Sequence, residues 1–186
     1  MKKKITLTVI CAVLSCVCLI GTTFAWLTDQ TGTVTNTFTI GDVDIDLKET
    51  TGDTYKMVPG VELPKNPTVY VNAGSEACWL FVKVTETNQP KEYLDYSIDS
   101  AWKPLTDVSG VYYIKVDADT ANTGEDYPVL TDNKVTVKSE LTRTDLADAE
   151  ANAPTMAFIA YAIQQAGFDT KSEAENVADA WAALNS

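Results

Sequence analysis

At 186 residues, 45% of them hydrophobic and 22% charged, the chain is long enough to bury a core, and its composition excludes both a disordered and a multi-spanning membrane class. A formal net charge of −12 argues against a nucleic-acid partner. The lack of any histidine removes zinc motifs of the His-Glu-x-x-His type together with Ser-His-Asp and Cys-His sites.

The chain begins with Met1 and three lysines, continues through an apolar run from Ile5 to about Ile20, and exits through Gly21, Thr22, Thr23, Phe24 and Ala25. This order of charged, apolar and small residues predicts a signal peptide over residues 1–25, cut between Ala25 and Trp26. Two other readings stay open. Ile5 to Leu27 is long enough to serve as an uncleaved anchor, and Cys16 ends a lipobox-like stretch, although apolar residues follow it in place of a polar tether. Each reading leaves residues 26–186 outside the cytoplasm as a single domain; with cleavage after Ala25 the membrane is involved only through the leader before it is cut. Loss of Lys2, Lys3 and Lys4 changes the charge from −12 to −15, because residues 1–25 hold no acid. Cys11, Cys16 and Cys18 lie in the apolar run, so Cys78 alone remains, and no internal disulfide is available. Within Ala77–Val82 it reads as a small buried residue.

Turn residues then break the chain into short runs rich in Val, Ile, Thr, Tyr and Phe, which predicts an all-β antiparallel sandwich. In Thr33 to Leu47, Val34, Phe38 and Ile40 occupy even positions while Val43, Ile45 and Leu47 occupy odd ones. The buried face therefore changes at Gly41, through a bulge, a bend or a change of sheet. A turn-rich connection with Pro64 and Pro67 leads to an edge-like strand, Thr68 to Asn72. Cys78 to Glu86 directs Leu80, Val82 and Val84 to the core and Lys83 and Thr85 to water, with Trp79 and Phe81 on the outer face, where another element can cover them. Tyr93 to Ile98 and Val111 to Val116 are further strands. Tyr127 to Leu130 and Lys134 to Val137 flank a hairpin-like turn at Thr131, Asp132 and Asn133. Thr144 to Ala151 predicts a short helix. Thr155 to Gln164, apolar on both faces, predicts a central strand. Thr170 to Glu173 matches a capping box, followed by Ala174, Val177, Ala178, Trp181 and Leu184 on one face of a C-terminal amphipathic helix.

Chemistry-bearing clusters are few, and no catalytic residue and no cofactor is predicted. Asp42, Asp44 and Asp46 resemble the start of a calcium loop, but its sixth position is Leu47 where glycine is required, so a solvated strand face accounts for them better. Asp117, Asp119, Asn122, Glu125 and Asp126 surround Gly124 in a loop where oxygen ligands can converge, a candidate calcium site without complete ligand spacing. The scattered Trp26, Trp79, Trp102 and Trp181 read as packing residues before a ligand platform. No Leu-Pro-x-Thr-Gly sorting signal stands at the C-terminus; Leu63 to Asn66 lies internally.

Gly21 to Asp29, followed by Asn36 to Leu47, resembles the TasA and camelysin family, whose members are secreted and processed by a SipW-type signal peptidase. Further likeness lies in Val58 to Gly60, Pro67 to Val69 and Phe158 to Gln164. The resemblance implies a jelly-roll-like sandwich with short peripheral helices and a structural role at the cell surface or in a biofilm matrix. It also implies a homopolymer in which the N-terminal strand of one subunit completes the sheet of the next. The donor is then Trp26 to about Thr39, with Trp26, Leu27, Val34 and Phe38 as its apolar residues; the alternative is that Val34 to Leu47 pairs within its own domain. Some camelysin-like members are labelled metallopeptidases, a label the histidine-free sequence does not favour. The competing functional expectation is a monomeric surface-binding module for a host or matrix ligand.

Overall fold

The computed structural model describes residues 42–52 and 54–186. The signal segment 1–25, the Ala25–Trp26 junction, the donor residues Trp26, Leu27, Val34 and Phe38, and the parity change at Gly41 lie outside the described residues. Ile40–Ser186 is one compact unit. Among the described residues it is mostly β, with ten strands in three antiparallel sheets and three short α-helices.

One sheet has the order β1 (Ile45–Lys48), β3 (Thr68–Val71), β8 (Glu125–Pro128). A small second sheet joins β2 (Glu62–Pro64), β9 (Lys134–Val137) and β5 (Leu94–Asp95). The four-stranded sheet runs β10 (Thr155–Gln164), β4 (Cys78–Thr87), β7 (Val111–Val116), β6 (Lys103–Pro104). β4 is its spine, paired with β10 from Thr87↔Thr155 to Cys78↔Gln164 and with β7 from Cys78↔Val116 to Lys83↔Val111.

Alternation along β4 sorts the core into two layers, because successive side chains point to opposite faces. Leu80, Val82 and Val84 meet Val69, Val71, Trp102, Val116 and Val129 inside the sandwich. Trp79 and Phe81 face the other way, onto Leu105, Val111, Tyr113, Val177 and Ala180. The cover foreseen for that second face is the C-terminal helix. Of the helices α1 (Pro90–Tyr93), α2 (Arg143–Ala151) and α3 (Glu173–Leu184), the last brings Trp181 within 5.3 Å of the Phe81 ring, between ring centroids. Its cap is Ser172 with Glu175, two residues later than the expected Thr170 and Glu173. The shift frees Glu173 to accept from Lys103 Nζ at 2.7 Å and the Tyr113 hydroxyl at 3.1 Å, which ties the start of the helix to the sheet.

The structure corrects four expectations. Thr68 to Asn72 is no edge: β3 is hydrogen-bonded on both sides, by β1 and β8, and the preceding prolines lie outside its ladder. The apolar β10, expected at the centre, pairs among the described residues with β4 alone and stands at the edge of its sheet. Tyr93 to Ile98 is not one strand. Asn88 and Gln89 adopt left-handed φ values of 55° and 51°, which start a helical turn at Pro90; afterwards Leu94–Asp95 forms a two-residue strand and Ile98 a single bridge to Leu130. The turn at Thr131–Asn133 joins no hairpin, since β8 and β9 belong to different sheets; buried Val129 and Leu130 carry the chain across the core between them.

Candidate functional site

Of the five residues predicted in the acidic loop, Asp119 carries most of its hydrogen bonds, and these go to backbone amides. Its Oδ2 accepts backbone N–H bonds from Thr123 and Gly124, both at 2.8 Å, and from Gly74 at 3.2 Å. The backbone donors, that of Gly124 foremost, hold the Asp119 carboxyl below the usual range, since they stabilise its charged form. Glu125 accepts the Tyr127 hydroxyl at 2.7 Å, and Asn122 takes a left-handed φ of 56°. Asp117 and Asp126 flank this loop, Asp126 within β8 opposite Tyr70. Among the described residues no group of three or more His, Cys, Asp or Glu stands close enough to hold a metal ion. Asp42, Asp44 and Asp46 are exposed along the outer face of the first strand while Val43 and Ile45 pack inward.

Two predictions follow from this loop's geometry. Gly124 has a φ of +69°, and a Cβ there collides with the Tyr70 hydroxyl and comes within 2.9 Å of the Val71 carbonyl oxygen. Gly124→Ala is expected to cost roughly 1–3 kcal/mol in urea unfolding, through strain and the clash. The lowered Asp119 value sets the sign of a pH effect. Its stabilising contribution is present above the ordinary aspartate range and is lost as pH falls through the depressed value. Thermal melts from pH 7 to pH 3 should therefore show a shallower acid decline for Asp119→Asn than for the parent chain.

The remaining polar and aromatic candidates serve packing. Trp102 Nε1 donates to the Pro128 carbonyl at 2.9 Å and Trp79 Nε1 to that of Phe168 at 3.3 Å. Trp181 stands perpendicular to Tyr161 at 5.4 Å. Burial pushes the Cys78 thiol up to about 11, so it stays protonated and unreactive at neutral pH.

The feature with chemical potential is the edge at β10. From Ala151 to Phe168 the chain carries no charged residue. Met156, Phe158, Ala160 and Ala162 turn to the sandwich interior; Tyr161 and Ile163 turn to the layer under α3. Yet no residue of β10 is fully buried, and Ile159 is 48% exposed. Among the described residues nothing hydrogen-bonds the side of β10 away from β4. Protein edges are ordinarily protected by lysine, proline or a bulge, and β10 has none of these within its span. An apolar cavity of about 280 Å³ opens at its Thr155 end, lined by Tyr55, Met57, Leu63, Val135, Pro154 and Met156. A neighbouring cavity shares Tyr55, Met57, Ala153 and Pro154 and reaches Leu146 and Ala149 of α2. Sequence reasoning found the apolar run but not its place at an edge; the uncharged stretch with no lysine was the available clue.

Among known proteins, the family described as camelysin metallo-endopeptidase matches residues 1–79, and TasA belongs to that family. The match takes in residues 1–25, expected to be a signal peptide, and the strands up to the start of β4; the likeness noted in Phe158 to Gln164 lies beyond it. No curated protein and no solved structure matches the chain. The metal implied by the family's description finds no fitting donors here: the chain has no histidine, and among the described residues no cluster of acids or thiols converges.

Proposed function

We propose, from the premise that residues 1–79 are those of a camelysin-family chain, that this is an exported, non-enzymatic structural protein of the cell surface or matrix that polymerises by strand exchange. The donor is Trp26 to about Thr39, released when a SipW-type signal peptidase cuts between Ala25 and Trp26. The acceptor is the outer side of β10.

The single observation that supports this reading is the apolar, charge-free ten-residue strand β10, paired among the described residues on one side only. A strand added there gains backbone hydrogen bonds along the edge and removes apolar surface from water on both faces. The donor suits it. From Gln30 to Gly41 no residue is charged, and threonines at 33, 35, 37 and 39 alternate with Val34, Phe38 and Ile40, a pattern of high β-propensity. In a chain of net charge −12, two neutral segments can approach without the repulsion that separates the rest. Among the described residues no helix is long and apolar enough to cross a membrane.

Protein collected from the medium should begin at Trp26 by mass spectrometry and show filaments by electron microscopy, while a chain lacking Trp26 to Thr39 should stay monomeric by light scattering. Monomers from both would end the polymer reading. A rise in melting temperature with a matrix ligand, without assembly, would then favour the surface-binding alternative.

A further inference from the structure

We infer that the two adjoining cavities at the Thr155 end of β10 form a binding site for a linear aliphatic carboxylate, a fatty acid whose tail fills the inner cavity and whose head lies at Lys56. This goes beyond the polymer reading and stands whether or not copies exchange strands.

The form of the site comes from the elements that meet there. The inner cavity, about 280 Å³, lies between two sheets: Leu63 of β2, Leu94 of β5 and Val135 of β9 line one side, and Thr155 and Met156 at the start of β10 line the other. The outer cavity, about 530 Å³, reaches Leu146 and Ala149 of α2. Tyr55, Met57, Ala153 and Pro154 border both, so the two spaces follow one another as an elongated slot. Volumes of this order match ligand pockets, which run from roughly 300 to 1,000 Å³. A slot of that form takes an extended chain.

The lining sets the chemistry of the tail. Of three methionines in the sequence, both internal ones, Met57 and Met156, line the inner cavity. Their unbranched, polarisable thioethers adapt to a flexible alkyl chain. Such a chain leaves water for an apolar lining, which drives binding without directional partners. The one cation on the inner wall is already taken: Lys65 Nζ lies 2.8 Å from Glu49, with its side chain 12% exposed, and stands 5.5 and 5.4 Å from the Tyr55 and Phe158 ring centroids. A head placed there would have to displace Glu49 and leave a largely buried pair broken, which is costly.

Charge places the head at the outer end. Lys56 lines the outer cavity, is exposed, and enters no hydrogen bond or ion pair among the described residues. Glu150, also exposed, lines the same space without pairing with it. In a chain of net charge −12, an uncompensated lysine at the mouth of an apolar slot attracts a carboxylate that most of the surface repels.

The test uses the full chain as matured and released by the producing cells, titrated calorimetrically with sodium dodecanoate below its micelle concentration. Dodecanol, dodecyltrimethylammonium and phosphatidylglycerol vesicles are titrated in parallel. Dodecanoate should bind saturably, one per chain, and more tightly than either the alcohol or the ammonium compound. Lys56→Glu, a change at an exposed side chain, should weaken dodecanoate at least tenfold and leave dodecanol unchanged. Met156→Trp, which fills the inner cavity, should weaken both at least tenfold. No saturable binding of dodecanoate to the parent chain would overturn the site. Equal affinity for the ammonium compound, or no effect of Lys56→Glu, would overturn the carboxylate head. Binding to vesicles without binding to dodecanoate would assign the slot to the acyl chain of a membrane lipid and overturn the fatty acid.

Discussion

Phe81→Ala is expected to lower stability by about 3–5 kcal/mol, the usual cost of truncating a buried phenylalanine. Phe81 is fully buried in the middle of β4, with neighbours hydrogen-bonded on either side, Tyr161 of β10 and Tyr113 of β7. Its ring meets Trp181 at a tilt of 48°, and Trp181 in turn stands edge-on to Tyr161. Removing it leaves a cavity under α3 and unseats the tryptophan that holds the helix down. For a chain of this size each kcal/mol moves the melting temperature by about 2–4 °C, so a fall of roughly 6–20 °C is expected in a thermal scan. A loss below about 1 kcal/mol would mean that α3 adds little and that the second core layer does not hold the sheet.

Ile159→Glu should leave the monomer nearly as stable as the parent while stopping assembly. Ile159 is half exposed, and its partner across the ladder is Lys83, also exposed, so a glutamate there gains an opposite charge directly opposite. Urea unfolding is expected to shift by no more than about 0.5–1 kcal/mol. The same charge sits on the edge that the proposed donor covers, where it meets the threonine-rich strand of the next copy in a partly dry contact. The concentration needed for filaments should rise at least tenfold, equivalent to about 1.4 kcal/mol or more of lost association energy. Filaments at the parent concentration would show that β10 is not the acceptor, whatever the donor does.

The contrast between these two variants follows from how the sequence records structure. Leu80, Val82 and Val84 alternate with Trp79, Phe81 and Lys83, so the two faces of β4 were legible from side-chain period alone. The helix over Glu173–Leu184 was legible too, through its apolar spacing, although two overlapping Ser/Thr-x-x-Glu frames left its cap two residues out. The acidic loop was visible as a cluster, but the use of Asp119 as a cap for backbone amides was not. Three of its donors come from Gly74, Thr123 and Gly124, and the first is 45 residues away.

The sequence by itself determined the β-rich class, the faces of its strands and the C-terminal cover, because burial of alternate side chains is written locally in residue type. Only the tertiary structure decided which strands stand at the centre and which at the edge. Thr68–Val71 and Thr155–Gln164 exchanged those roles because the backbone groups of every strand are alike, and what occupies each side of a strand depends on segments far away in the chain, as Thr155 opposite Thr87 shows. The side of β10 that is left unpaired among the described residues is the product of that long-range choice, and it is where the proposed assembly takes place.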